Sequence, residues 1–276
     1  VKYLIVDGSN YLFRAYFGVP SAANYKGTQI NAVYGFFAIL RRMARSVNPT
    51  HIIVVFDSQT GTKSKVEKNP EYKANREFLD TGMYVQLPYI KSILDRCNIH
   101  WIEPEHEEAD DVIGSLAKQF CIKNNASFIS SNDYDFAQLT QRDLTLVRDV
   151  QGRAVHITPQ VFVDEWGFEP QRYLDYISIK GDSSDNISGV EGIGQKIATM
   201  LIQKYDSIED MCTHCRQLPS RIANKILAES DKIRSNRSFL RINTEINITL
   251  SDKSGIFDAH SLYTVKTNEH LANLEL

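Results

Sequence analysis

The sequence predicts an α/β fold with a mainly parallel central sheet flanked by helices, followed by a helical C-terminal region. Three observations carry that expectation. From residue 1 to about 160, short apolar, β-rich runs alternate with longer helical patterns. From Pro159 onward, strand signals fade and helical patterns dominate. The chain has 276 residues, 42% hydrophobic and 24% charged, which is the length and composition of a globular protein with a sizeable core. Strands separated by helices imply right-handed crossovers and therefore parallel neighbours.

The elements follow in order. KYLIV, HIIVVF, IHWI, ASFISS and LTLVRDV are apolar or β-branched runs of strand length. Helical periodicity appears at 29–46, 86–97 and 109–123, then at 159–166, 170–179, 194–204, 207–213, 219–229 and 231–240. This divides the chain into a core, 1–160, and a helical region, 161–276. Residues 62–76 connect the second strand to the following helix; the stretch is long for an α/β loop and, beginning just past Asp57, is expected to cover a substrate.

Composition narrows the class. No apolar run approaches the ~20 residues of a membrane span. The opening VKYLIVDGSN lacks the basic start and long apolar stretch of a signal peptide, so a cytoplasmic location is expected. The cysteines are Cys97, Cys121, Cys212 and Cys215. Cys212-Thr213-His214-Cys215 has no second cysteine pair near it, so reduced structural thiols are expected rather than a zinc or redox site. A net charge of −3 does not announce a nucleic-acid binder, but its distribution is uneven. In 62–76, Lys63, Lys65, Lys68, Lys73 and Arg76 face only Glu67 and Glu71. In 216–241, seven Lys and Arg face only Glu229 and Asp231. Such patches make sequence-independent phosphate contacts.

The acids occupy the opposite role. Asp7 ends KYLIV, Asp57 follows HIIVVF, and Asp133 and Asp135 follow ASFISS. Ligands of open α/β sheets bind outside the carboxyl ends of the strands, so these side chains share one edge. Were Asp133-Tyr134-Asp135 extended, its spacing of two would aim both carboxylates one way. EHEEADDV, 105–112, opens a helix with Glu108, Asp110 and Asp111 grouped near one face. The helix dipole explains one or two acids there, yet not five in seven residues. GDSSDN adds Asp182 and Asp185, which also suit Asx turns. Nine carboxylates from five segments cannot gather in ionised form without cations. Oxygen-only ligands suit Mg²⁺ or Mn²⁺, and two such ions could together cut a phosphodiester.

A glycine-rich stretch follows directly. In GVEGIGQKIA, Gly189, Gly192 and Gly194 permit a tight hairpin, and Lys196 opens the next helix. Amides at such a helix N-terminus attract phosphate. One segment, 181–205, therefore offers carboxylates for cations and a grip for a backbone.

VDGSNYLFRAYF, VVFDS, PEYKANR, EEADDVIGSLA, SSNDYDFAQL and GDSSDNISGVEGIGQKIA together resemble the 5′-nuclease (flap endonuclease) family. The likeness covers residues 1 to about 245 and is greatest to the 5′→3′ exonuclease domain of bacterial DNA polymerase I and to phage 5′ nucleases. It implies a PIN-like core with an arch over the site at about 62–88, and a two-metal, structure-specific nuclease acting on DNA with 5′ flaps, nicks or free 5′ ends in replication and repair. It also implies a helix–three-turn–helix at about 181–205, holding duplex DNA and often K⁺. By the same resemblance, Asp7, Asp57, Glu108 and Asp110 lean towards a first metal, and Asp111, Asp133, Asp135, Asp182 and Asp185 towards a second. Lys73 and Arg76 match a YK-x-x-R pair at the scissile phosphate, and Arg14 matches a basic position of the first motif. Phe13 matches a base-stacking aromatic, with a core position as its alternative. Gly189, Gly192, Gly194 and Lys196 serve the duplex grip. A monomer of bacterial or phage-like type, nucleoid-associated and working beside a DNA polymerase, is expected. The chain is either a stand-alone enzyme or an excised domain. The rival readings are a catalytically weak junction-binding protein of the same fold, a haloacid-dehalogenase-type phosphatase and a toxin-type PIN ribonuclease. The phosphatase needs a second Asp two residues after the first, where this chain has Ser9; the ribonuclease would lack the glycine hairpin.

Overall fold

The structure, a computed structural model, describes residues 1–20, 27–58, 63–74, 81–250, 255–257 and 262. It begins with β1 (Lys2–Asp7), α1 (Gly8–Gly18), α2 (Asn31–Val47) and β2 (His51–Val55). Short helices α3 (Lys63–Lys68) and α4 (Thr81–Tyr84) precede α5 (Leu87–Arg96), β3 (His100–Ile102), α6 (Ala109–Ile122) and β4 (Ala126–Ser130). A 3₁₀ turn, Tyr134–Leu139, leads to β5 (Leu144–Val150) and β6 (Arg153–Ile157). These strands form one six-stranded sheet, order β3-β2-β1-β4-β5-β6. Every pairing is parallel except β5 with β6. The mainly parallel sheet expected from the sequence is thus observed.

Because both faces of the sheet are covered, the central strands β1 and β2 are almost continuously apolar, and alternation decides only which layer a residue joins. Leu4, Val6, Ile52 and Val54 pack in the layer holding α1, α2 and α5. Ile5, Ile53, Val55 and Ile129 pack with α6, and that layer runs on into the C-terminal helices through Phe162, Leu201 and Ile233. α1 and α2 approach closely because of Gly35, where a Cβ would lie 2.6 Å from the Ala15 Cβ and 2.9 Å from its Cα.

Two elements differ from the sequence expectation. The patterns give no helix over 8–18, yet α1 forms there, its first turn capped by the Asp7 carboxylate accepting from the Asn10 amide at 2.9 Å. The patterns also give no strand after LTLVRDV, yet β6 folds back on β5. Gln151 and Gly152, with φ of 50° and 77°, make the two-residue turn that antiparallel strands favour.

The helical half contains α7 (Pro159–Trp166), α8 (Tyr173–Lys180), a two-stranded ribbon of β7 (Gly181–Asp182) and β8 (Ile187–Ser188), then α9 (Gln195–Lys204), α10 (Ile208–His214), α11 (Ser220–Ala228) and α12 (Ser230–Leu240). Residues 242–246 then run back along α6, where the Ser115 hydroxyl donates to the Asn243 carbonyl (3.1 Å) and accepts from the Ile246 amide (3.1 Å). Among the described residues, no helix is long and apolar enough to cross a membrane.

Gly35→Leu should destabilise the protein by about 1–3 kcal/mol through overpacking. The measurement is the urea midpoint; an unchanged midpoint would contradict the close α1–α2 contact.

Candidate active site

The strand order reverses between β1 and β4, so a crevice opens beyond their carboxyl ends. Asp7 is the last residue of β1, and the acids after β2 and β4 sit beside it. Asp7 is buried; its carboxylate accepts from the Asn10 amide and, at 2.6 Å, from the Ser131 hydroxyl. Burial, then the charges of Asp57 and Asp133, push its carboxyl up to about 7 despite those bonds. Asp57 accepts from the Ala109 amide at 3.2 Å, tying the end of β2 to the first turn of α6.

Asp110, in that first turn, is held well above the usual carboxylate range by burial, then by Asp133, with Asp7 and Asp57 adding to it. Asp133 and Asp135 are raised too, burial first, and Asp182 and Asp185 contribute to both. The segment is not extended. Asp133 caps the 3₁₀ turn, accepting from the Asp135 amide at 2.8 Å, so turn geometry rather than strand alternation brings both carboxylates to the crevice. Asp182 makes an Asx turn, accepting from the Ser184 amide (2.8 Å) and hydroxyl (2.6 Å). Carboxylate oxygens of Asp135, Asp182 and Asp185 lie within 4.8 Å of one another. The cleft over Asp133, Asp135 and Asp182, about 290 Å³, is also lined by Asn10, Asn132 and Lys180. Seven aspartates are therefore within electrostatic reach of their neighbours, and an oxygen-only donor set fits hard divalent cations.

Other expected site residues lie elsewhere. Asp111 turns away: its carboxylate accepts from the Asn243 amide at 2.8 Å and stands 3.9 Å from the Lys65 ammonium. Glu108 is buried beneath Lys65, Tyr72 and Lys73. Arg14 points to β5, donating to the Asp149 carbonyl at 3.0 Å; Asp149 is buried and also pairs with Arg42 at 2.7 Å. Arg76 lies outside the described residues, as do parts of the expected arch. Phe13 is 45% exposed and packs against Phe17 at 4.7 Å, so it is no core residue.

Behind the cleft, the hairpin takes shape. Gly189 crosses so close to Lys180 that a Cβ would lie 2.2 Å from its carbonyl carbon, and Gly192 has φ of 73°. Gly194 opens α9 with nothing within 4 Å of a Cβ position, and Lys196 beside it is exposed. The basic stretch 216–241 is partly consumed internally. Lys232 donates to the Gly189 carbonyl (2.7 Å) and Lys225 to that of Glu191 (2.5 Å), while Arg237 pairs with buried Asp175 at 2.6 Å. Arg216, Arg221 and Arg241 are exposed. All four cysteines are free thiols; His214 bonds Asp210 rather than either neighbouring sulfur.

Sequence reasoning assigns no role to Asn10, Ser131, Asn132, Tyr72 or Lys180. The capping group at Asn10 is its backbone amide, which nearly any residue would supply, so nothing local announces its side chain, which accepts from the Asn132 amide at 3.2 Å. Ser131 and Lys180 depend on tertiary placement and had no signal.

A parallel sheet whose strand-order switch gathers oxygen ligands, backed by a glycine hairpin, defines a class of protein: enzymes that handle phosphodiesters with hard divalent ions. Comparison makes this specific. A family profile described as "5'-3' exonuclease, N-terminal resolvase-like domain" matches residues 2–167, and one described as "5'-3' exonuclease, C-terminal SAM fold" matches 168–260. A 5'-3' exonuclease of Aquifex aeolicus is 30% identical over 249 residues, 90% of this chain and 84% of that one. DNA polymerase I of Bacillus subtilis is 33% identical over 253 residues, 91% of this chain but 29% of the polymerase. A bacteriophage T5 protein crystallised with metal ions has the same fold, with a TM-score of 0.71 at 20% identity, covering 88% of this chain and 90% of that one. The chain belongs to the 5′-3′ exonuclease family, and is by family a phosphodiester-cleaving 5′ nuclease.

Carboxyls raised by burial and mutual repulsion favour the folded state most when protonated. In EDTA, stability should therefore fall as pH rises from near 3.8, the ordinary Asp value, through about 7 for Asp7. Glu108, which Lys73 and Lys65 hold below its ordinary 4.5 against the effect of burial, works oppositely but only in more acidic solution. Added Mg²⁺ should raise the melting temperature more at high pH than at low. Melts in EDTA that are flat or rising between about pH 5 and 7.5 would contradict this.

Proposed function

We propose that the chain is a structure-specific 5′ nuclease, hydrolysing DNA phosphodiester bonds as a 5′→3′ exonuclease and at 5′ flaps, with two Mg²⁺ or Mn²⁺ ions. The observation that carries it is the oxygen trio of Asp135, Asp182 and Asp185, continuous with half-buried Asp110 and Asp133 and buried Asp7. These six, with Asp57, would hold the ions. When bound, the ions would ease deprotonation of an attacking water and offset charge on the leaving oxygen. Asp110 and Asp133 orient the cleft floor. Lys73, whose charge opposes the upward shifts of Asp110, Asp133 and Asp135, offsets charge on the phosphoryl oxygens, and Arg76 is its proposed companion. Water attacks phosphorus and the P–O3′ bond breaks, leaving a 5′-phosphate and a 3′-hydroxyl.

Duplex DNA would rest on the hairpin and Lys196, with Arg216, Arg221 and Arg241 adding phosphate contacts. Gly194 offers the phosphate an unobstructed helix N-terminus. Exposed Phe13 and Phe17 suit stacking on an unpaired base, as single-strand binders use aromatic platforms. This assigns Phe13 to DNA and moves Arg14 from the chemistry to a flanking position. The Gly189 and Glu191 carbonyls already accept from Lys232 and Lys225, which favours those lysines over K⁺ as the hairpin's cations. The division into a core, 1–160, and a DNA-holding region, 161–276, fits this reading, as do a monomeric state, a nucleoid-associated cytoplasmic setting and a partner polymerase.

End-labelled 5′-flap, nicked and blunt DNA should be cut near the flap junction in Mg²⁺ and left intact in EDTA. Asp133→Ala should lose about a thousandfold or more in turnover while still retarding DNA in a gel. Cutting in EDTA, or full activity of the variant, would overturn the reading.

A further inference from the structure

One wall of the aspartate cleft is a helix face. Tyr173, Ile177 and Lys180 of α8 line the cleft together with Asp133, Asp135 and Asp182. Their spacing of four and then three residues puts them on one side of the helix. Tyr173, at the start of α8, is 8% exposed. Lys180, at its end, is exposed; its ammonium lies 6.0 Å from the Tyr176 ring and has no ion pair among the described residues.

The two tyrosines that line the cleft differ in one respect. The Tyr134 hydroxyl donates to Glu165 at 3.1 Å and accepts from the Trp166 indole at 2.9 Å. The Tyr173 hydroxyl has no hydrogen-bond partner among the described residues. Its ring is nonetheless fixed, with Tyr134, Trp166 and Tyr176 at centroid distances of 5.3, 5.5 and 5.6 Å. A phenol set this deep ordinarily finds an acceptor. Burial first, then the charges of Asp135 and Asp133, hold the phenol above its ordinary range, so it stays a proton donor at neutral pH. Asn10 is in a similar position. Its side-chain carbonyl accepts from the Asn132 amide at 3.2 Å, while its NH₂ group has no acceptor among the described residues.

Two chemistries thus meet in one cleft. The aspartates are acceptors when ionised, which suits cations. Around them stand a hydroxyl, an amide and an ammonium, three donors without an acceptor. An anion seated over the cations would supply one, and phosphate oxygens are strong acceptors for such groups. We infer that Tyr173 is a further substrate-contacting residue of this site: its hydroxyl donates to a non-bridging oxygen of the phosphate held over Asp133 and Asp135, with Asn10 and Lys180 as the other donors of the same rim. The inference deepens the nuclease reading and rests on it for the identity of that phosphate, a diester before cleavage and a 5′-phosphate after it.

The test compares the whole chain with Tyr173→Phe, which removes the hydroxyl and keeps the ring; near-ultraviolet circular dichroism checks the aromatic packing. Mn²⁺ alone is titrated by electron paramagnetic resonance. Thymidine 5′-monophosphate is then titrated into the Mg²⁺-loaded chain and followed by phosphorus magnetic resonance. Tyr173→Phe should bind Mn²⁺ as the wild type does and bind the nucleotide about tenfold more weakly, the scale of one hydrogen bond to a charged group. Thymidine, which lacks the phosphate, should not separate the two chains. Unchanged nucleotide affinity in the variant overturns the inference, and so does an equal loss with thymidine. A weakened Mn²⁺ site overturns it too, because the hydroxyl would then serve the carboxylates. A wild-type chain that binds the nucleotide but no Mn²⁺ would count against the two-metal reading, and the tenfold difference would still decide the role of Tyr173.

Discussion

Repulsion among carboxylates gathered in one partly buried cleft is the constraint on which the rest of this structure depends. Asp7, Asp110, Asp133 and Asp135 are all pushed towards the neutral form, chiefly by desolvation and then by neighbouring aspartates. A fold gains no stability from such a group of acids without cations. The sheet, the 3₁₀ turn and the 182–186 loop nonetheless converge to hold them together. Hydrogen bonds from Ser131 and the Asn10 amide fix Asp7 in place without neutralising it. The arrangement makes sense as a preorganised receptor for divalent ions, in which the cost of gathering charge is met on folding and recovered on binding.

Around that receptor, cations are distributed by distance. Lys65 and Lys73 stand at the cleft's edge on Glu108. Arg14 and Arg42 are drawn to Asp149 at the end of β5, on the far side of β4 from β1. Lys225 and Lys232 are committed to hairpin carbonyls. Lys196 and the exposed arginines Arg216, Arg221 and Arg241 present charge to solvent. A net charge of −3 therefore conceals a molecule with a negative floor and a positive rim, a layout that admits a phosphate chain at its edge and draws it towards metal at its centre.

Much of this was legible in the sequence because the parallel sheet forces it. Continuous apolar strands ending in Asp point to a shared edge whatever the loops do, and the fold bears that out. What escaped were features set by single tertiary contacts. Strand alternation would aim Asp133 and Asp135 together only were the segment extended; a capped 3₁₀ turn aims them instead. Asp111 shares a helical turn with Asp110, but the returning 242–246 segment claims it, and no local pattern announces that partner. Helix α1 was hidden by its glycine start, although its Asp cap was in plain view. β6 was hidden by a strand pattern too polar to stand out beside β5. Lys65 read as one more charge in a basic loop because its importance lies in Glu108, forty-three residues later.

The central claim is that the aspartate cleft is a divalent-ion site. The most direct measurement is anomalous diffraction from crystals soaked in Mn²⁺. The account predicts Mn²⁺ peaks among Asp110, Asp133, Asp135, Asp182 and Asp185. Peaks absent from this cleft would contradict it.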